Sequence, residues 1–209
     1  GRDMSIGADW ARVSDLIRMA LESEQEGRSV LGHAAIDVVD AAELLAGKYT
    51  LVVTNPPWLK RGFQDETLRH YLESVPEIDT PNLATSFVVR MATLTEHGGS
   101  CAAVIPQGSM QLTGYVSFRK NLLRSCGLPL VANLGPGAFS EITGEIVKAT
   151  LLLLAPHRSS NSASILGVDA SRDGSIDAKA HMLRNGTLLV EEQALVLASK
   201  ESRILAASG

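Results

Sequence analysis

A chain of 209 residues, 45% apolar and 20% charged, is long enough to bury a core of its own, and this composition excludes disordered and fibrous classes. A net charge of -4 argues against this segment alone being a strong duplex-binding surface, so any grip on nucleic acid is expected to be local or supplied elsewhere. No apolar run approaches the roughly 20 residues of a membrane span, and no basic-then-apolar leader opens the sequence, so a cytoplasmic chain with no membrane contact is expected.

The elements follow in order. Trp10, Val13, Leu16, Ile17, Ala20 and Leu21 recur at helical spacing and predict a helix over residues 9–26, with Gly27 as its terminator. Residues 34–39 read as a short apolar strand, residues 41–46 as a helical turn before Gly47, and residues 49–54 as a second strand. A long helix is predicted over 81–94, with Asn82 or Thr80 near its start and Gly98-Gly99 after its end. Residues 101–105 give the next strand, closed by Pro106. A helix over 115–125 and strands over 128–134 and 145–154 complete the repeating part.

Residues 157–163 are rich in Ser and Asn and mark a loop or domain edge. A strand over 165–169, a helix over 177–184 and a tail without clear pattern follow. Apolar runs of four to six residues alternating with helices predict an α/β fold with a doubly wound, mostly parallel sheet. Residues 1–156 are assigned to this domain and 157–209 to its C-terminal edge and a linker. Cys101 and Cys126 have no metal-ligand spacing and read as buried thiols of a reducing compartment; the five histidines share no spacing, and no metal is expected.

Asn55, Pro56, Pro57 and Trp58 directly follow the strand Leu51-Val52-Val53. Ligands of open α/β sheets sit at the carboxyl ends of strands, so this is where chemistry is expected. A tetrad of Asp or Asn, two prolines and an aromatic arises by chance in only about 1% of chains this long. Its residue types suit one task. The exocyclic amine of adenine is a poor nucleophile because its lone pair is delocalised into the ring. The Asn55 side-chain oxygen and the Pro56 carbonyl can hold the amine hydrogens, successive prolines fix that carbonyl, and Trp58 offers a face for an extruded base. The plainer reading is a proline turn that stops a strand and a tryptophan that packs in the core.

Asn55-Pro56-Pro57-Trp58 in this setting resembles the catalytic motif of γ-type adenine-N6 DNA methyltransferases. The order of the helix 82–94, the turn Glu96-His97-Gly98-Gly99 and the strand ending Ile105-Pro106-Gln107 is similar to theirs. Phe118 to Leu123, Asn133 to Phe139 and Ile142 to Val147 resemble the PglX-type enzymes of BREX phage-resistance systems, which are similar to fused type IIG restriction methyltransferases. The likeness spans roughly residues 36–154.

It implies a Rossmann-like catalytic domain, S-adenosylmethionine as cofactor, double-stranded DNA with a flipped adenine as partner, and possible companion subunits in defence. It also implies that Asp40, read as closing a strand, contacts the adenosine part of the cofactor, and that Asn55 lies on the cofactor's side of the site. Asp40 reads equally well as a cap of the following turn. Lys60 and Arg61, just past the tetrad, are candidates for a phosphate beside the flipped base or plain solvated charges. Arg119, Lys120 and Arg124 are expected on a wet helix face.

The family's glycine-rich cofactor turn has no counterpart before Asn55. Truncation is the expectation. The alternative is a circular permutation in which Gly135-Pro136-Gly137 is that turn, although the β-branched stretch after it is poor material for the helix such a turn opens. Two other functions are open: methyl transfer to a protein glutamine or an RNA base, and a non-catalytic DNA-binding or interaction fragment.

Overall fold

The structure is a computed structural model that describes residues 15, 16, 19, 30–75, 81–138, 148–156, 163–172 and 174–205. The helix expected over 9–26 lies almost wholly outside the described residues. Two compact units divide the chain, residues 1–49 and residues 50–209.

In the first unit, helix α1 runs Val30–Ala46 and ends at Gly47, whose N–H donates to the carbonyls of Glu43 and Leu44. This corrects the sequence reading of a strand at 34–39, since those residues are helical. The reason is local. Ile36, Val38 and Val39 are embedded among Ala34, Ala35, Ala41, Ala42, Leu44 and Leu45, whose helix preference outweighs three β-branched residues. Asp40 is therefore an exposed mid-helix residue and closes no strand.

The second unit is built on a six-stranded sheet: β1 (Tyr49–Thr54), β2 (Thr95–Pro106), β3 (Cys126–Gly135), β4 (Ala149–Pro156), β5 (Ser164–Asp169) and β6 (Leu189–Glu192), in the order β1-β2-β4-β3-β5-β6. Helices α2 (Glu66–Ser74), α3 (Leu83–Leu94), α4 (Gly108–Gln111), α5 (Val116–Ser125) and α6 (Ile176–Asn185) lie between the strands in sequence, and α7 (Gln193–Ala198) follows β6.

β1 and β2 run the same way. Early in both, the Thr50 hydroxyl bonds to Glu96 and the Thr50 carbonyl lies so close to Gly99 that a Cβ there would come within 2.8 Å of it; beyond the end of β1, Trp58 bonds to Val104, late in β2. β2 and β3 are each antiparallel to β4, and β5 is parallel to β3. Four strands thus share one direction, and β4, threaded between β2 and β3, and β6 oppose it. The expected α/β class with its mostly parallel sheet holds in this sense, with reversed β4 and β6 making three of the five neighbouring pairs antiparallel.

The core gathers Ala84, Val88 and Met91 of α3, Cys101, Ala103 and Ile105 of β2, Phe118, Leu122 and Leu123 of α5, and the inward residues of β3, β4 and β5. Both thiols are free and buried, as expected. Residues 164–205 belong to the same packed unit. β5 and β6 extend the sheet, and Ile204 and Leu205 join the core.

Buried polar groups stitch these parts together. Arg119 of α5, expected on a wet face, is instead fully buried: its guanidinium donates to the carbonyls of Ser109, Leu112, Glu201 and Ser202 over 2.7–3.2 Å. Burial pulls its pKa below the ordinary arginine value. Gln193 bonds to the carbonyls of Leu123 and Cys126 and accepts from the Leu128 N–H.

Candidate functional site

The shared strand direction brings the carboxyl ends of β1, β2, β3 and β5 to one edge of the sheet. β1 delivers the tetrad there. Asn55 is exposed, Pro56 buried, Pro57 exposed and Trp58 half-buried. The indole packs against the core, and its Nε1–H donates to the Val104 carbonyl at 3.2 Å. One edge of the ring is thereby anchored by the neighbouring strand, which fixes the plane of the indole.

A second clamp follows immediately. The Arg61 N–H donates to the Pro81 carbonyl and the Leu83 N–H to the Leu59 carbonyl, both at 2.9 Å, with Lys60 and Asn82 paired in a short antiparallel bridge. The segment after the tetrad is so pinned to the start of α3. Asn82 is buried and caps that helix, its side chain accepting from the Ala84 N–H at 2.9 Å, as one of the two sequence alternatives held. The Tyr115 hydroxyl bonds to the Asn82 side chain; burial nevertheless raises the Tyr115 pKa above its ordinary value, with the hydrogen bond opposing the shift. Gln64 donates to the Leu59 carbonyl at 3.3 Å. Four consecutive residues of irregular backbone are therefore held from both sides, the condition for a preorganised site.

Lys60 and Arg61 are both exposed beside the tetrad. The Arg61 guanidinium is ion-paired with Glu73 of α2, which also lies 3.9 Å from His70. A phosphate at Arg61 would have to displace that carboxylate, whereas the exposed ammonium of Lys60 lies in the bridge strand next to the tetrad. Asp40 belongs to the other compact unit.

β3 delivers Gly135-Pro136-Gly137. Gly135 and Gly137 have φ of +63° and +71°, and a Cβ on Gly135 would come within 2.6 Å of the Ser171 backbone. The turn is packed against the segment after β5, and the next described element is a strand, β4, not a helix. Beside it the Lys179 ammonium of α6, almost fully buried, donates to the Leu134 carbonyl at 2.6 Å and the Ala170 carbonyl at 3.0 Å, tying the tips of β3 and β5 together. The arrangement explains both glycines by backbone conformation and packing, and does not favour the permuted cofactor turn.

β2 delivers Gln107, which sequence reasoning met only as the end of a strand motif. It is buried, and its side-chain Oε1 has no hydrogen-bond partner. The available signal was a polar residue directly after an apolar strand on the edge where the tetrad sits.

The chain is 28% identical over 120 residues to the adenine-specific methyltransferase PglX of Lacticaseibacillus casei (strain Zhang), covering 56% of this chain and 10% of that protein. It is 27% identical over 144 residues to the adenine-specific methyltransferase BrxX of Escherichia coli O9:H4 (strain HS), covering 69% of this chain and 12% of that protein. The chain thus spans only about a tenth of the length of the curated relatives it matches. Among solved structures it is similar to the methyltransferase subunit of a type I restriction-modification system from Streptococcus thermophilus, with a TM-score of 0.55 and 14% identity over 75% of this chain and 37% of that one, a likeness of fold. The family model described as N-6 DNA Methylase matches residues 36–202, and the chain belongs to that family.

Proposed function

We propose that this chain forms the base-handling part of a site that transfers a methyl group to the N6 amine of adenine in DNA, in a restriction-modification or phage-defence setting. The observation that carries this reading is the tetrad Asn55 to Trp58 at the carboxyl tip of β1, clamped on one side by the Trp58 bond to Val104 and on the other by the bridge to Asn82. The names of the relatives point the same way.

The chemistry follows from what these residues offer. An adenine amine becomes nucleophilic as its nitrogen turns tetrahedral, and two fixed oxygen acceptors on its hydrogens favour that geometry. The Asn55 amide oxygen and the Pro56 carbonyl supply them without any covalent enzyme intermediate. Pro56 and Pro57 have locked φ angles, so little reorganisation is needed as charge develops on the amine. The Trp58 ring gives an extruded base a flat apolar surface, which offsets part of the cost of unstacking. Lys60, and Arg61 if it exchanges Glu73 for a phosphate, would hold the backbone flanking the extruded nucleotide.

The family implies S-adenosylmethionine, which supplies the methyl group when bound. Among the described residues no glycine-rich turn opens onto a helix to receive its methionine part, and the Gly135 turn is filled by Ser171. Asn55 faces the donor as well as the base in this reading.

The test is Asn55→Ala in the complete gene product. N6-methyladenine in host DNA, counted by mass spectrometry of nucleosides, should fall by at least a hundredfold at an unchanged melting temperature, because an exposed side chain contributes little to the fold. Undiminished methylation would overturn the assignment.

A further inference from the structure

The buried polar side chains of this fold are thoroughly partnered. Arg119 donates to four carbonyls, Lys179 to two, and both ends of the Gln193 amide are engaged. Gln107 is the exception. Among the described residues, its Oε1 is the one buried side-chain nitrogen or oxygen without a partner, on a residue only 8% exposed. An amide atom buried without a partner destabilises the fold, whereas an apolar side chain of the same shape would not. Unpaired groups of this sort call for a specific cause.

Position supplies the cause. Gln107 follows the last residue of β2, the strand beside β1, and its backbone is fixed at both ends: its N–H donates to the Lys148 carbonyl at 2.8 Å and its carbonyl accepts from the Met110 N–H at 3.0 Å. Three residues earlier on the same strand, the Val104 carbonyl holds the indole of Trp58. The amide and the tetrad are therefore anchored to the same strand end, at the edge where the base is proposed to enter.

We propose that Gln107 is a specificity-determining residue of the base site, its carboxamide hydrogen-bonding the polar edge of the extruded base while Asn55 and the Pro56 carbonyl hold the exocyclic amine. A carboxamide carries an acceptor and two donors on one planar group, and turning it about its last bond exchanges them. With both amine hydrogens held by Asn55 and the Pro56 carbonyl, what an adenine edge leaves is a ring nitrogen, which the carboxamide meets by turning its NH2 into the place its Oε1 occupies. An apolar residue here would leave the ring nitrogens of the base unpaired in the pocket, which is how a polar site rejects the wrong base. This inference rests on the proposed function.

The test compares wild type, Gln107→Met and Gln107→Asn in the complete gene product. Met conserves volume and removes the unpaired atom; Asn keeps the amide but withdraws it. On duplex DNA carrying a site that the wild type methylates, Gln107→Met should lose about 10-fold or more in kcat/KM, with Asn between the two. Its KM for S-adenosylmethionine, its affinity for the same duplex with an abasic target and its melting temperature should stay at or above wild-type quality. Equal methylation by wild type and Gln107→Met would overturn this inference alone. So would a loss shared with cofactor KM or abasic-duplex affinity, which would signal a structural or cofactor role. A wild-type protein that forms no N6-methyladenine overturns both this inference and the function on which it rests.

Discussion

Arg119 shows how residue type can mislead where spacing does not. On α5, positions 118, 119, 122 and 123 form one stripe, so Arg119 lies on the apolar face with Phe118, Leu122 and Leu123, while Arg124 is exposed. Its charge is compensated by carbonyl oxygens in a planar fork that a lysine cannot reproduce. Replacing it with Met should cost about 3–5 kcal/mol, because the Glu201, Ser202, Ser109 and Leu112 carbonyls lose their donor, and Arg119→Lys should recover less than half of that. Urea denaturation followed by circular dichroism measures both. Cys101 gives a prediction in pH. Burial raises its thiol from 9.0 to about 11, partly offset by a hydrogen bond with Thr95 and reinforced by the neighbouring Cys126. The folded state then holds its proton where the unfolded chain has released it. Stability is unaffected below about pH 9, falls as pH rises from there to about 11, and levels off above, by roughly 2–3 kcal/mol. The difference in melting temperature between wild type and Cys101→Ala should therefore shrink across pH 9 to 11. A difference that stays flat with pH would show that the thiol titrates normally.

Elements with strong punctuation were legible. The start of α3 at Asn82, the end of β2 at Pro106 and the placement of the tetrad after β1 all followed from caps, prolines and apolar runs. Those lost were the ones whose identity depends on context. Residues 34–39 carry three β-branched side chains, a strand signal by composition, yet neighbouring alanines and leucines extend one helix through them. The run Leu151 to Leu154 reads as a strand buried on both faces, whereas Leu152 and Leu154 are buried and Leu151 and Leu153 only half-buried. An unbroken apolar run carries no alternation from which to read sidedness. Strand direction was equally hidden. β3 and β4 are joined by residues 136–148, long enough to permit either sense, and only the ladder shows β4 turning back between β2 and β3. Gln107 was legible only as a polar residue directly after an apolar strand; that its amide is unpaired is a property of its surroundings, which no spacing announces.

At the scale of the molecule, the strand expected over 165–169 and the helix expected over 177–184 are present as β5 and α6, whereas residues 199–205 showed no pattern, because their contribution is made by single residues at long range. Ser202 and Leu205 adopt φ of +48° and +49°, left-handed backbone that costs non-glycine residues about 1 kcal/mol or more each and persists only where packing over-determines it. That packing is present. Ile204 is fully buried, Leu205 fills the space that the missing side chain of Gly167 leaves on β5, the Ile204 N–H donates to the Met110 carbonyl at 3.1 Å, and the Leu205 N–H reaches the Glu191 carboxylate at 2.9 Å. Glu201 and Ser202 further supply three of the five bonds to the Arg119 guanidinium. A chain that stops at residue 198 would lose two buried aliphatic side chains, worth about 1.5–3 kcal/mol each, and would leave a buried cation short of two of its four acceptors, at a cost of about 3–5 kcal/mol. Together these approach the whole 5–15 kcal/mol by which a domain is stable. Within the unit of residues 50–209, deletion from residue 199 onward should therefore abolish the cooperative thermal transition. Combining this deletion with Arg119→Met should restore part of the lost cooperativity, since the stranded charge is then gone. If the chain ending at residue 198 melts as sharply as the complete one, the tail merely rests against the sheet, and the packing of residues 199–205 does not hold the domain together.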